Sequence, residues 1–162
     1  MTRYLSLPIL VALLFMGCGD DHHGHDDLSA EAEACLHMTE EAEKQTTAAA
    51  TEAEATDTAK ADWLHVRNHL TLVAEGEEFV GYVTVEIDEA GAHQLYVDHP
   101  VEITIGGIAA TSTSPVTECT EVDAVYVYDL PVGEHVLFAR ADQEKVAIVL
   151  EFPGGHDDHS DH

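Results

Sequence analysis

The sequence predicts a mainly β protein, an antiparallel β-sandwich of Ig-like or jelly-roll type with about eight strands. A short helix is expected before the sandwich and disordered tails around it. From Trp63 onward apolar and polar residues alternate in short runs, which is typical of half-buried strands. Turn-like separators such as AEGEE, DEAG and LPVG divide these runs. No helical period interrupts them, whereas Ala and Glu dominate residues 30–44.

The first 17 residues have the pattern of a secretory signal peptide. Arg3 precedes an apolar run that ends at Met16, and Gly17 and Cys18 follow. The run is about a dozen residues long, short of the roughly 20 that span a bilayer, which argues against a transmembrane anchor. The segment resembles the signal of a bacterial lipoprotein precursor. The resemblance implies that the Cys18 thiol is lipidated, that the chain is cut before Cys18, and that the new N-terminus is acylated, with palmitate as the expected chain.

The same resemblance implies an exported protein anchored to the bacterial cell envelope, with the membrane as a partner through the lipid. In many Gram-negative lipoproteins an Asp after the lipidated cysteine signals retention at the inner membrane. Here Gly19 follows Cys18. The outer membrane or the cell surface is therefore favoured over the periplasmic face of the inner membrane.

The charge balance excludes one class of partner. The 162 residues contain 32 Asp plus Glu against 6 Lys plus Arg, for a formal charge of −26. Such a chain repels phosphates, so no nucleic-acid partner is expected. The charge attracts cations, and it also keeps an exported protein soluble without any specific partner.

The sequence contains three cysteines, and an odd number in an exported protein leaves one thiol without a disulfide partner. If Cys18 is lipidated, Cys35 and Cys119 remain as a pair, and an oxidising compartment favours a disulfide between them. The alternative is that Cys35, His37 and Met38, in the run CLHM, bind Cu(I) as soft ligands. Neighbouring residues on a helix point about 100° apart, so these three cannot converge without unwinding. We therefore predict the disulfide, with His37 exposed and Met38 partly packed.

Between the anchor and the sandwich the chain changes character twice. Residues 18–28 contain GDDHHGHDD, which lacks apolar residues and predicts a solvated tether. Ser29 is placed to cap a helix over 30–44, with acidic residues close behind it. The Ala/Thr/Glu run of 46–62 is of low complexity, and its Thr content favours a flexible linker over a helix. Residues 29–62 thus form a helix-and-linker region.

The sandwich is predicted over residues 63–153, followed by a tail at 154–162. The predicted strands are 69–74, 79–87, 92–97, 101–105, 108–113, 124–129, 134–140 and 146–152.

Two segments of the sandwich carry a weak family resemblance. The runs EIDEAGAHQLYVD, residues 86–98, and LPVGEHVLFARA, residues 130–141, look like strands of small exported bacterial sandwiches such as the pre-peptidase C-terminal domain. The resemblance covers residues 69–152. It implies the fold and export, and it transfers no catalytic residue.

Half of the 12 histidines lie in the two tails, interleaved with Asp. Neutral imidazoles and carboxylates are ligands that Zn²⁺, Ni²⁺ and Cu²⁺ accept, and a flexible tract can wrap them around an ion. The alternative is that the tails are inert, solvated spacers. The predicted metal ligands are His22, His23, His25, His156, His159 and His162.

The remaining histidines are less promising as ligands. His65 and His69 in HVRNH have the helical i, i+4 spacing, but the pattern around them is extended, and on a strand they would be about 13 Å apart. His93, His99 and His135 fall at strand ends or turns and are expected at the surface.

No motif of an enzyme is present in the sequence: there is no G-x-S-x-G, no H-E-x-x-H and no phosphate-binding glycine loop. We therefore expect no catalytic residues and no organic cofactor. The predicted function is a lipid-anchored envelope protein that binds divalent transition metals through its tails, as a buffer, scavenger or delivery platform. The alternatives are a non-enzymatic structural or adhesion module whose sandwich binds an envelope protein or a glycan, and an accessory subunit of a transporter or secreted enzyme.

Overall fold

The computed structural model describes residues 28–40, 44–58, 60–61 and 66–152. These residues form two helices, α1 (Ala30–Glu40) and α2 (Glu52–Thr58), and twelve strands. The strands are β1 (Lys44–Thr47), β2 (Lys60–Ala61), β3 (Asn68–Thr71), β4 (Val73–Glu75), β5 (Glu78–Ile87), β6 (Gly91–Val97), β7 (Glu102–Ile105), β8 (Ile108–Ala109), β9 (Ser112–Pro115), β10 (Ala124–Leu130), β11 (Gly133–Ala141) and β12 (Lys145–Glu151).

The strands form two sheets. Sheet A has the order β1-β3-β12-β6-β10-β9, and sheet B has the order β2-β5-β11-β7-β8, with β4 also paired to β5. Eight strands pair in a nested, antiparallel pattern: β3 with β12, β5 with β11, β6 with β10, and β7 with β8. Of these eight strands, the first in sequence pairs with the last, the second with the second-last, and so on to the innermost pair. This is the arrangement of a jelly roll, in which one long hairpin folds over into two sheets. The predicted antiparallel sandwich is therefore confirmed, and the pairing selects the jelly roll over the Ig-like order.

The main core lies between the two sheets and draws on the inward positions of both. Strand β12 is buried on both faces, because α1 covers the outer face of sheet A. Ile148 and Leu150 face the main core, whereas Val149 lies under α1 in a second apolar cluster with Met38 and Tyr96. Burial on both sides accounts for the nearly continuous apolar run of this strand.

The predicted flexible linker at 46–62 is wrong. Most of it belongs to a folded segment, residues 44–58 and 60–61, which we call the strap. Its strand β1 pairs in parallel with β3, Ala49 pairs with Tyr82 of sheet B, and β2 pairs in parallel with β5. Helix α2 covers the outer face of sheet B, where the Thr84 hydroxyl donates to the Ala55 carbonyl at 3.0 Å. Small side chains let the strap lie close against both sheets.

Two predicted strands are each split in two. The run 69–74 breaks at Leu72 into β3 of sheet A and β4 of sheet B. The run 108–113 divides into β8 of sheet B and β9 of sheet A. In both cases the chain crosses from one sheet to the other within the predicted strand. The N-terminal helix also ends at Glu40, before the predicted residue 44.

Candidate functional site

Helix α1 is tied at its N-terminal half to the loop between β9 and β10. The predicted disulfide between Cys35 and Cys119 is present, with a Cα–Cα distance of 6.0 Å. The Thr117 amide donates to Glu31 Oε1 at 2.9 Å, and Ser29 Oγ accepts from the Ala32 amide at 3.1 Å as the predicted N-cap. Because Cys35 is engaged in the disulfide, it offers no thiolate for the alternative Cu(I) site.

The other end of α1 is held by a cation. The Arg67 guanidinium, just before β3, donates to the Met38 carbonyl in the last turn of the helix. A positive charge at this position complements the helix dipole and satisfies a carbonyl that the helix leaves unpaired. The helix is thus fixed at both ends on the outer face of sheet A.

His37 lies in the interface between α1 and sheet A, and its predicted exposure is wrong. The residue is only 6 % exposed, and Met38 is fully packed rather than partly packed. The His37 Nε2 atom lies 3.7 Å from Glu33 Oε1, one helical turn earlier, and 3.9 Å from Glu151 Oε1 at the end of β12. We call these three side chains the His37 cluster. Glu151 is 2 % exposed, so the cluster places a carboxylate and an imidazole together in the interior.

Tyr96 packs beneath α1, in the same apolar cluster as Ala34 and Met38. The Tyr96 hydroxyl donates to Gln94 Oε1 at 2.7 Å. Burial first, and then nearby carboxylates, raise the Tyr96 pKa well above its usual value, so the phenol stays protonated. The contributing carboxylates come from α1, from the end of β12 and from the β9–β10 loop; they are Glu151, Glu31, Glu118 and Glu33.

His93 was expected at the surface and is buried, with 2 % of its area exposed. It shares the inward face of β6 with Leu95. Its ring lies 5.0 Å from the Phe152 ring, and its Nδ1 atom is 3.0 Å from the Gly91 carbonyl oxygen. The prediction failed because the inward-facing positions of β6 include His93, near the start of the strand, as well as Leu95.

His99 and His135 differ in their surroundings. His99 is mostly buried, and its Nδ1 atom lies 2.7 Å from Asp98 Oδ1, which also accepts from the Ala147 amide at 2.9 Å. The expectation of a surface position is therefore wrong for His99. His135 is partly exposed, with its Nε2 atom 2.8 Å from the Pro131 carbonyl oxygen.

The predicted metal ligands of the two tails lie outside the described residues, as do Cys18 and His65. His69 lies on strand β3, as its extended pattern predicts. In the described part of the chain, no group of three or more His, Cys, Asp or Glu side chains is arranged to hold a metal ion. Nor does any helix there have the length and apolar character needed to cross a membrane.

Comparison of the chain with protein-family models and with curated protein sequences gave no match.

Proposed function

We propose that this chain is a lipid-anchored protein of the bacterial envelope that binds divalent transition metal ions through its His/Asp-rich tails, as a buffer, scavenger or delivery platform. The observation that carries the proposal is the position of the histidines in the sequence relative to the described residues. The described fold runs from Leu28 to Phe152, so His25 stands three residues before it and His156 four residues after it. Imidazole and carboxylate ligands of the kind that Zn²⁺, Ni²⁺ and Cu²⁺ accept therefore flank the folded domain on both sides.

The disulfide supports export and the lipid anchor. Cys35 and Cys119 are joined, so of the three cysteines Cys18 alone stands outside the pair. Disulfides persist in oxidising compartments outside the cytoplasm, where an envelope protein would reside. Lipidation of Cys18 would hold His22 and its neighbours within a few residues of the membrane surface.

Calorimetric titration of the full chain in mild detergent with Zn²⁺, Ni²⁺ and Cu²⁺ tests metal binding. A variant in which the six tail histidines are replaced by Asn should lose the binding heat. The matched control is His135→Asn, which changes one partly exposed histidine of the sandwich and should bind as the unaltered chain does. Equal heats from the tail variant and the unaltered chain would overturn the proposal.

The anchor is tested by the mass of the protein recovered from membranes. The unaltered chain should have lost residues 1–17 and gained acyl chains on Cys18. The Cys18→Ser variant should gain no acyl chains and should leave the membrane fraction. An unmodified Cys18, or membrane attachment that survives Cys18→Ser, would contradict the lipid anchor.

A further inference from the structure

We infer that the outer face of sheet B carries a binding site for a neutral glycan. The site is independent of metal binding by the tails, since all of its residues belong to strands of the described sandwich. We call it the sheet B platform. Its members are Tyr82, Phe138, Thr104, Arg140, Glu78 and Glu102.

The register of three strands brings the sheet B platform together on the side of the sheet away from the core. On β11 the residues before and after Phe138 belong to the main core, so Phe138 faces outward. Phe138 is aligned with Tyr82 of β5 and with Thr104 of β7, and Arg140 is aligned with Glu102 of β7. Neighbouring strands are about 4.8 Å apart, so the row of three spans about 10 Å, enough for a disaccharide.

Two aromatic rings form the apolar floor of the platform. The ring centroids of Tyr82 and Phe138 are 5.2 Å apart, and the ring planes are tilted by 47°. Helix α2 covers the neighbouring part of this face at Thr84, yet both aromatic side chains stay partly exposed. A sugar ring carries C–H groups on its face, and the negative face of an aromatic ring attracts them. The aromatic pair can therefore bind the apolar side of a sugar.

Polar groups of both kinds stand at the edge of this floor. The Arg140 guanidinium carbon lies 5.5 Å from the centroid of the Phe138 ring. Its Nε atom is 3.6 Å from Glu78 Oε2, and its Nη1 atom is 3.5 Å from Glu102 Oε2, so two carboxylates hold the guanidinium in place. The Arg140 side chain is 41 % exposed and the two glutamate side chains more than 60 %, which leaves all three accessible to a ligand.

The charges of the platform select a neutral glycan among the possible ligands. A guanidinium only donates hydrogen bonds and a carboxylate only accepts them, whereas a sugar hydroxyl and the Thr104 hydroxyl do both. Two carboxylates against one guanidinium, on a chain of charge −26, repel acidic polysaccharides. A lysine-rich segment would suit the net charge, but Arg140 already occupies the position between the carboxylates. Mixed donors and acceptors beside an aromatic floor therefore match the hydroxyls and the C–H face of an uncharged sugar.

The test applies the full chain in mild detergent to an array of neutral oligosaccharides of glucose, mannose, galactose and N-acetylglucosamine. Calorimetry with the oligosaccharide that is retained then gives the Kd. Tyr82→Ala removes the stacking ring and should raise the Kd about 10-fold or more, whereas Tyr82→Phe keeps the ring and should raise it less than about threefold. Arg140→Gln should also raise the Kd about 10-fold, through the loss of charge-assisted hydrogen bonds. The matched control is Val132→Ala, an exposed apolar residue outside the platform, which should leave the Kd unchanged.

Three results would overturn the glycan site. The first is that the array retains no neutral oligosaccharide. The second is that binding is unchanged in Arg140→Gln, whose exposed side chain can be replaced without disturbing the core even if Tyr82→Ala does not fold. The third is that a lysine-rich peptide binds where no neutral oligosaccharide does and is released by Glu78→Gln and Glu102→Gln, which would show that the platform recognises cations. Metal titration of the tails is unaffected by any of these results, so the proposed function stands or falls separately.

Discussion

Gly81 of β5 lies directly against Ala48 of the strap. A Cβ atom built on Gly81 would come within 2.4 Å of the Ala48 Cβ and 2.8 Å of Leu72 Cδ2. Ala48 and Leu72 are the residues at which the chain crosses from sheet A to sheet B. The strap can therefore close this side of the sandwich only because residue 81 has no side chain.

Gly81→Ala should lower the free energy of unfolding by about 1–3 kcal/mol, since an added methyl overpacks the crossing. In the double variant with Ala48→Gly the two substitutions should cost clearly less than the sum of the single ones, because the conflicting methyl is gone. Urea unfolding of the single and double variants measures these free energies. The control is Gly76→Ala, which meets nothing within 4 Å but has a φ of 69°. Gly76→Ala should lower the free energy of unfolding by about 1–2 kcal/mol whether or not Ala48→Gly is also present. If the effects of Gly81→Ala and Ala48→Gly simply added, the steric explanation would be contradicted.

Replacing both Cys35 and Cys119 by Ser should lower stability by about 4 kcal/mol. The disulfide spans 84 residues, and in the chain-entropy model a loop of this size restricts the unfolded chain strongly. The reduced and the serine-substituted proteins should unfold at the same urea concentration. A loss below about 1 kcal/mol would mean that the packing of α1, rather than the disulfide, holds this region.

His37→Ala should destabilise the fold by about 2–3 kcal/mol, because it opens a cavity in the interface and removes an imidazole from beside the buried Glu151 carboxylate. Glu33→Gln is the matched control. The Glu33 side chain is 27 % exposed, so its contribution is screened and the cost should stay under about 1 kcal/mol. Chemical unfolding of the two variants measures the free energy that each one loses. Equal losses would show that burial of the His37 cluster is unimportant for stability.

The two buried tyrosines should make the fold sensitive to alkali. Burial raises the pKa of Tyr96 and of Tyr128 well above the usual value near 10, and carboxylates add to the effect at Tyr96. The folded state holds these protons more tightly than the unfolded state does. Their contribution to stability is therefore complete below about pH 10 and is lost as pH rises further.

Ultraviolet absorbance of tyrosinate, followed together with circular dichroism, measures this effect. Two tyrosines should ionise only as the sheet signal disappears. Tyr128→Phe should remove one of them from this late step. Complete ionisation of all the tyrosines with an unchanged sheet signal would show that these phenols are not buried as described.

Metal bound by the tails should be released as pH falls below about 6. Histidine binds a metal only in its neutral form, so protons compete with the ion as they titrate the imidazoles. Equilibrium dialysis of the Ni²⁺-loaded chain across this pH range gives the midpoint. Full retention of Ni²⁺ at about pH 4.5 would contradict histidine ligation.

The sequence predicted the strands correctly where a run of alternating residues stays within one sheet, and less well where the run crosses from one sheet to the other. Residues 79–87 alternate cleanly, and β5 runs from Glu78 to Ile87. The strap could not be predicted, because its small residues have no period, and pairing of Ala49 with Tyr82 fixes its path. A contact so distant in sequence leaves no local signal.

The disulfide could be predicted by counting cysteines, whereas the His37 cluster could not be predicted from the pattern. The apolar stripe of α1 is narrow, and it does not indicate that the face carrying His37 is also buried. That burial depends on Glu151, which stands at the far end of the sequence. For the same reason the carboxylates that act on Tyr96 could not be predicted, because α1, the β9–β10 loop and β12 lie far apart in sequence.

The docking of α1 on β12 also determines the order in which the protein can assemble. The helix is the first element of the described fold and the strand is the last, and an isolated helix of 11 residues is marginal in water. Its apolar residues have no surface to cover until Val149 has been synthesised, and the nested pairing of the jelly roll likewise requires late strands to join early ones. The interface between α1 and β12 therefore cannot be completed until both of these elements, which lie far apart in sequence, are present.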